Sequence, residues 1–148
     1  MQHRLRSSLA MGLAALAFGA VGCTDLTSTN GSGSGTYVLA TVNGNPLPYQ
    51  VQQTNGSVVT IQSDVYTLSS DNTYTEMTTL RLSNGQTATA SEQGDWSQND
   101  TAIQFMPTVS SSGTYTNYTG SLSGGGLLSG GRSLTIGVNG VVEVYDQQ

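Results

Sequence analysis

From Thr36 to the end of the chain, Asn-Gly recurs at 43–44, 55–56, 84–85 and 139–140, and apolar and polar residues alternate between these pairs. Asn-Gly readily takes positive φ at both central positions of a tight turn, the geometry that joins two antiparallel strands with matching twist. Alternation with a period of two sends successive side chains to opposite faces of a strand. Together the two signals restrict the chain to hairpins with one wet face and one buried face. "RSLTIGV" is the clearest case, with Leu134, Ile136 and Val138 alternating against Ser133, Thr135 and Gly137.

The same punctuation divides the rest. "TYVLATV" (36–42) is closed by "NGNP", and "PLPYQVQ" (46–52) carries two prolines, which suits an edge because proline cannot donate to a ladder. "SVVTIQ", "DVYTLSS", "TYTEMTTLRLS" (73–83), "QTATASEQG", "DWSQ", "TAIQFMP" (101–107), "GTYTNYTGSLS" (113–123) and "VVEVYD" follow, with "SSDN" (69–72) and "ND" (99–100) as further turns. The pattern predicts an all-β fold, an antiparallel up-and-down barrel of about eight to ten strands, after an N-terminal signal helix and a flexible linker. The expected inward residues are Val59, Ile61, Leu68, Leu80, Leu82, Ile103, Phe105, Leu122, Leu134, Ile136, Val142 and Val144. They are medium-sized and are expected to fill most of the interior.

Residues 1–8 carry Arg4 and Arg6, and residues 9–21 form an apolar run, short of the roughly 20 residues that span a bilayer. Such a run fits the apolar stretch of a secretory signal peptide. Cys23, the sole cysteine, follows directly, and "AVGC" resembles the lipobox of bacterial lipoproteins. The resemblance implies cleavage before Cys23, a diacylglyceryl group on its sulfur, and membrane lipid as a partner. Acyl chains hold a protein at a bilayer at roughly 0.8 kcal/mol per methylene, and stable attachment takes more than one chain. Thr24 after the cysteine resembles the outer-membrane class. Residues 24–35, almost all Thr, Ser, Asn, Asp and Gly, read as a spacer. The expected organisation is therefore a signal peptide (1–22), a lipidated cysteine with its tether (23–35) and a barrel domain (36–148). The alternative is a soluble secreted protein cleaved after Ala17.

Charge and residue type exclude several functions. There is no Lys, and beyond the leader only Arg81 and Arg132 stand against nine acids. Phosphate backbones are bound by clustered Lys and Arg, so nucleic acid is excluded as a partner. The lone histidine, His3, lies in the leader. Beyond it, Ser–His and Ser–Lys catalysis and zinc sites lack their residues. Asp71 beside Asn72, and Asp95 near "SQND", are the nearest calcium ligands, but Asp and Asn in turns serve the backbone. Asp64, Asp71, Glu76, Glu92, Asp95 and Asp100 offer carboxylate pairs for glycoside hydrolysis, with most expected at turns or strand ends in water. "GGGLLSGG" (124–131) has the glycines of a phosphate loop without its lysine or helix. Leu127 and Leu128 there are candidate contacts for a partner or lipid. Trp96 is either a stacking platform or a residue packed at the barrel's end. No cofactor or metal is implied.

The order "TVNGNPLP" (41–48), "SDNTYT" (70–75), "GDWS" (94–97), "AIQF" (102–105) and "RSLTIGVNGVVEVYD" (132–146) resembles small bacterial lipoproteins with a lipocalin-like barrel. These are turn and core patterns, so the resemblance implies a fold and says little about a ligand. The expected function is a non-enzymatic envelope lipoprotein that presents a barrel to a protein or cell-wall partner. The alternatives are a carrier of a small apolar ligand inside the barrel and, more remotely, an envelope hydrolase. An apolar cavity would favour the carrier, and converging buried carboxylates would favour the enzyme. If the cysteine carries the anchor, Cys23→Ser moves the protein from the membrane pellet to the soluble fraction on fractionation.

Overall fold

The computed structural model describes residues 33–54, 56–124 and 131–148. The leader, Cys23, the spacer up to residue 32, and Leu127 and Leu128 lie outside the described residues. The strands are β1 (Gly35–Val42), β2 (Asn45–Pro46), β3 (Tyr49–Gln52), β4 (Val58–Leu68), β5 (Thr73–Arg81), β6 (Thr87–Asn99), β7 (Ala102–Ser110), β8 (Tyr118–Ser123), β9 (Ser133–Val138) and β10 (Val141–Gln147). β4 and β6 are each continuous where the sequence suggested two runs.

From β4 to β10, each strand pairs antiparallel with the next. β1 closes the sheet by pairing with β10 on one side and β4 on the other. The result is the expected up-and-down barrel, eight-stranded, with β2 and β3 added at one end. Two of the Asn-Gly turns are as read, Asn43 and Gly44 with φ of 50° and 76° and Asn139 and Gly140 with 51° and 82°; at 84–85 only Gly85 has positive φ, and residue 55 lies outside the described residues. Asn43 also locks its turn onto β10, its Oδ1 accepting from the Val142 amide at 2.8 Å.

The barrel has two unlike ends. At the closed end, Trp96, Tyr37, Leu68, Tyr74, Ile103, Phe105, Leu122 and Leu134 are buried. The Trp96 indole N–H donates to the Ser69 carbonyl at 3.0 Å. Residues 33–35, read as the end of the spacer, belong to this plug. The Gly33 amide donates to Gln98 Oε1 at 2.8 Å, and its carbonyl accepts from the Tyr37 hydroxyl at 2.8 Å. At the other end β1 and β4 diverge. The first half of β1 pairs with the last half of β4, Gly35 to Val38 against Leu68 to Val65. Beyond that, β1 turns to β2 and β4 to β3.

Bulges decide which residues enter the barrel. Ile61 pairs with Leu80 and Ser63 with Thr79, so Gln62 is an extra residue in β4. An extra residue flips the facing of everything beyond it. Val59 and Ile61 therefore share the inner face with Asp64, Tyr66 and Leu68, which uninterrupted alternation forbids. Ala40 plays the same part in β1, between Leu39 and Thr41.

Nine of the twelve expected inward residues face the core: Val59, Ile61, Leu68, Ile103, Phe105, Leu122, Leu134 and Ile136 are buried or packed against it, and Leu80 pairs with Ile61. Three do not. Val142 is exposed and Val144 shares its face, because Glu143 and Tyr145 take the inner positions of β10. Leu82 lies past the end of β5 and closes a turn with Gln86. Aliphatic side chains share the interior with a set of aromatic rings that the expected list held only in Phe105. Phe105 stacks on Tyr118 at 4.8 Å between centroids and meets Tyr74 edge-on at 5.1 Å, and Tyr66 meets Tyr145 edge-on at 5.1 Å. Such pairs contribute about 0.5–1.5 kcal/mol each beyond area burial.

Gly94 marks the tightest strand contact. It pairs with Pro107 beside a bulge in β7, and a Cβ there would collide with the Met106 carbonyl oxygen. Gly94→Ala is expected to destabilise the barrel by about 1–3 kcal/mol, read from the urea midpoint.

Candidate functional site

Acid and tyrosine recur two residues apart in three strands: Asp64 and Tyr66, Tyr74 and Glu76, Glu143 and Tyr145. Two residues apart on a strand means one face. In each case it is the inner face. Glu92 joins them from β6, directly opposite Glu76 in the ladder. Four carboxyl groups thus point into a barrel where sequence reasoning put aliphatic side chains.

The phenols connect them. The Tyr145 hydroxyl lies 2.9 Å from Asp64 Oδ2 and 3.0 Å from Glu143 Oε2. Glu92 Oε1 accepts from Tyr74 at 2.6 Å and from Tyr118 at 2.7 Å, and the Tyr118 hydroxyl is 2.9 Å from that of Tyr66. The Thr78 hydroxyl donates to Glu76 Oε1. Tyr74, Tyr118 and Tyr145 set their hydroxyls on acids and Tyr66 reaches Glu92 through Tyr118, which lets a polar layer sit on an apolar one.

One oxygen is left over. Asp64 is 5 % exposed, and its Oδ1 is sealed from water with no hydrogen-bond partner. A buried acceptor without a donor costs about 1–3 kcal/mol. The described cations are remote from the cluster: Arg81 is exposed at the end of β5, and Arg132 lies beside Tyr37 at the closed end. Burial lifts the Asp64 carboxyl above the usual range, against the Tyr145 hydrogen bond. Burial, and then the charge of Asp64, push Glu76 up to about 8. Glu143 is raised for the same two reasons, partly offset by Tyr145. The four network tyrosines are all raised, with burial the largest cause. At about 8, Glu76 keeps near neutral pH a proton that a free carboxyl group would release.

The diverging strands leave a cavity of about 430 Å³ at the open end. Its walls include Val42 from β1, Tyr49 and Val51 from β3, Ile61 from β4, Val138 at the tip of β9, and Val141 and Glu143 from β10. Val51 pairs with the inward Val59, and Tyr49 with Ile61, so β3 faces the cavity with these two side chains. Glu143 belongs both to this wall and to the network, one hydroxyl away from Asp64. Gln50, Gln52 and Asn139 also line it, so the arrangement offers a mouth of mixed apolar and polar lining that includes one acid, Glu143.

Trp96 is not part of this site. It is 4 % exposed and packs in the closed end. Asp71 serves its own turn, accepting from the Thr73 amide at 3.1 Å and hydroxyl at 2.6 Å. Asp95 and Asp100 are exposed, as expected for solvated acids, whereas Asp64, Glu76 and Glu92 are mid-strand and inward, contrary to expectation. Glu143 was missed. The signal for it was the repeated two-residue spacing of acid and tyrosine.

The raised carboxyl groups make the folded state bind more protons than the unfolded chain. Their contribution to stability is full below about pH 4.5, the unfolded value for Glu76, and is lost as pH rises through about 8. The thermal midpoint is expected to fall by several degrees between pH 5 and pH 9. Glu76→Gln, which keeps the shape of the protonated acid, should flatten much of that decline in a calorimetric pH series.

No protein-family model matches the chain, and no curated protein matches it. Among solved structures, a lipocalin-like protein from Bacteroides uniformis ATCC 8492 is similar, with 13 % sequence identity and a TM-score of 0.42. The likeness covers 78 % of this chain and 97 % of that one.

Proposed function

We propose that the protein is a non-enzymatic binding module of the cell envelope, held to a membrane by lipid on Cys23, whose ligand is a small molecule taken into the open-end cavity. The observation that carries this reading is the cavity itself. At about 430 Å³ it is within the range of small-ligand sites, and barrel mouths are favoured places for them. The polar, aromatic-filled interior supports placing the ligand at the mouth instead of deep inside. The position of residue 33 fits a tether. The chain enters the barrel at the plugged end, and β1 then runs its eight residues to the open end. An anchor upstream would leave the cavity roughly 25 Å farther from the lipid than the attachment point.

The converging carboxyl groups lend less to a hydrolase. Glycoside hydrolysis needs two carboxyl groups facing each other across a gap that admits the sugar. Here Glu92 is occupied by two phenols, and Asp64 lies behind Tyr145. Glu143 alone among the four acids lines the cavity.

1-Octanol is a suitable neutral probe, small enough for the volume. Saturable binding by titration calorimetry is expected, weakened at least tenfold in Val51→Trp, where an indole occupies the throat. Octanol binding that ignores this substitution contradicts the cavity as the site.

A further inference from the structure

We propose that the cavity selects an organic cation, an ammonium group carried on a short apolar body; this rests on the cavity being the ligand site. Glu143 presents a carboxyl at the inner wall, and Tyr145 ties it to Asp64 at 3.0 and 2.9 Å. A charge placed at Glu143 therefore sees a second carboxyl one hydroxyl behind it. Asp64, 5 % exposed, lies behind Tyr145 and does not line the cavity, so its part is to stand as a second acid behind Glu143. Neither arginine of the described residues reaches the layer. Burying carboxylates without counter-charge is expensive, and the cost is met either by protons or by a bound cation. An ammonium group at the wall supplies positive charge and donates to Glu143, the acid it can reach. An anion meets only repulsion.

The rest of the cavity suits the remainder of such a molecule. Val42, Val51, Ile61, Val138 and Val141 are apolar, and Tyr49 offers a ring. A cation near an aromatic face is attracted by the negative face of the ring. A metal ion fits less well, because the described residues contain no group of three His, Cys, Asp or Glu placed to hold one.

Three probes of one chain length separate charge from apolar contact: octylammonium, octanol and octanoate, titrated at pH 7 into the full chain. Octylammonium is expected to bind at least tenfold more tightly than octanol, and octanoate more weakly than octanol. Raising the salt from 20 to 500 mM should shrink the cation's advantage severalfold in the unmodified protein. In Glu143→Gln the ratio of octylammonium to octanol affinity should fall towards one. Equal binding of octylammonium and octanol overturns the cation inference and leaves the cavity reading standing. A preference that survives both Glu143→Gln and high salt also overturns it, because the charge is then read elsewhere. Failure of all three probes to bind overturns the cavity reading itself.

Discussion

Closure of the sheet through β1 is the constraint from which the rest follows. β1 donates one edge to β10 and the other to β4, and no free edge remains along that part of the barrel. Closure removes the hazard of unpaired backbone groups. It also fixes an inside. Once the ladder registers are set, every second residue is interned whatever its chemistry. The four acids are inward because the backbone hydrogen bonds of the sheet leave their side chains nowhere else to go.

The interior solves the resulting problem by layering. Phe105, Leu134, Ile103 and Trp96 form an apolar plug at the end where residue 33 enters. Carboxyl groups lie towards the open end. Tyrosine is the side chain that joins the two layers, since its ring packs with hydrocarbon while its hydroxyl satisfies an acid. Tyr74, Tyr118 and Tyr145 do this directly, and Tyr66 joins the acid network through the Tyr118 hydroxyl. The solution is incomplete at Asp64, where one oxygen has no donor. The link from this architecture to the proposed ligand is Glu143, the one acid of the four that lines the cavity.

The cavity has an equally plain origin. β1 cannot pair with β4 along its whole length, because its later residues turn into β2 while β4 begins against β3. The gap between those short strands becomes the throat. Its apolar walls come from residues that would have formed core had the barrel closed fully, and this is why Val51, Val138 and Val141 remain exposed.

The Asn-Gly turns, the strand count and the up-and-down order follow from local chemistry, since positive φ and period-two alternation depend on neighbours in sequence alone. The inner apolar face of β9 was readable for the same reason. The site was not. Strict alternation puts Asp64 and Ile61 on opposite faces, and only the extra residue at Gln62, a property of pairing with β5, brings them together. On β10, "VVEVYD" offers two readings of the alternation, valines inward or Glu143 with Tyr145 inward. Local hydrophobicity favours the first. The register against β9, with Glu143 opposite Ile136 and Tyr145 opposite Leu134, imposes the second. The sequence by itself determined the hairpins and their order, because these are set within a few residues. Tertiary structure decided which face of each strand is inside, because that depends on bulges and on closure, and facing is what turned scattered acids and tyrosines into one site.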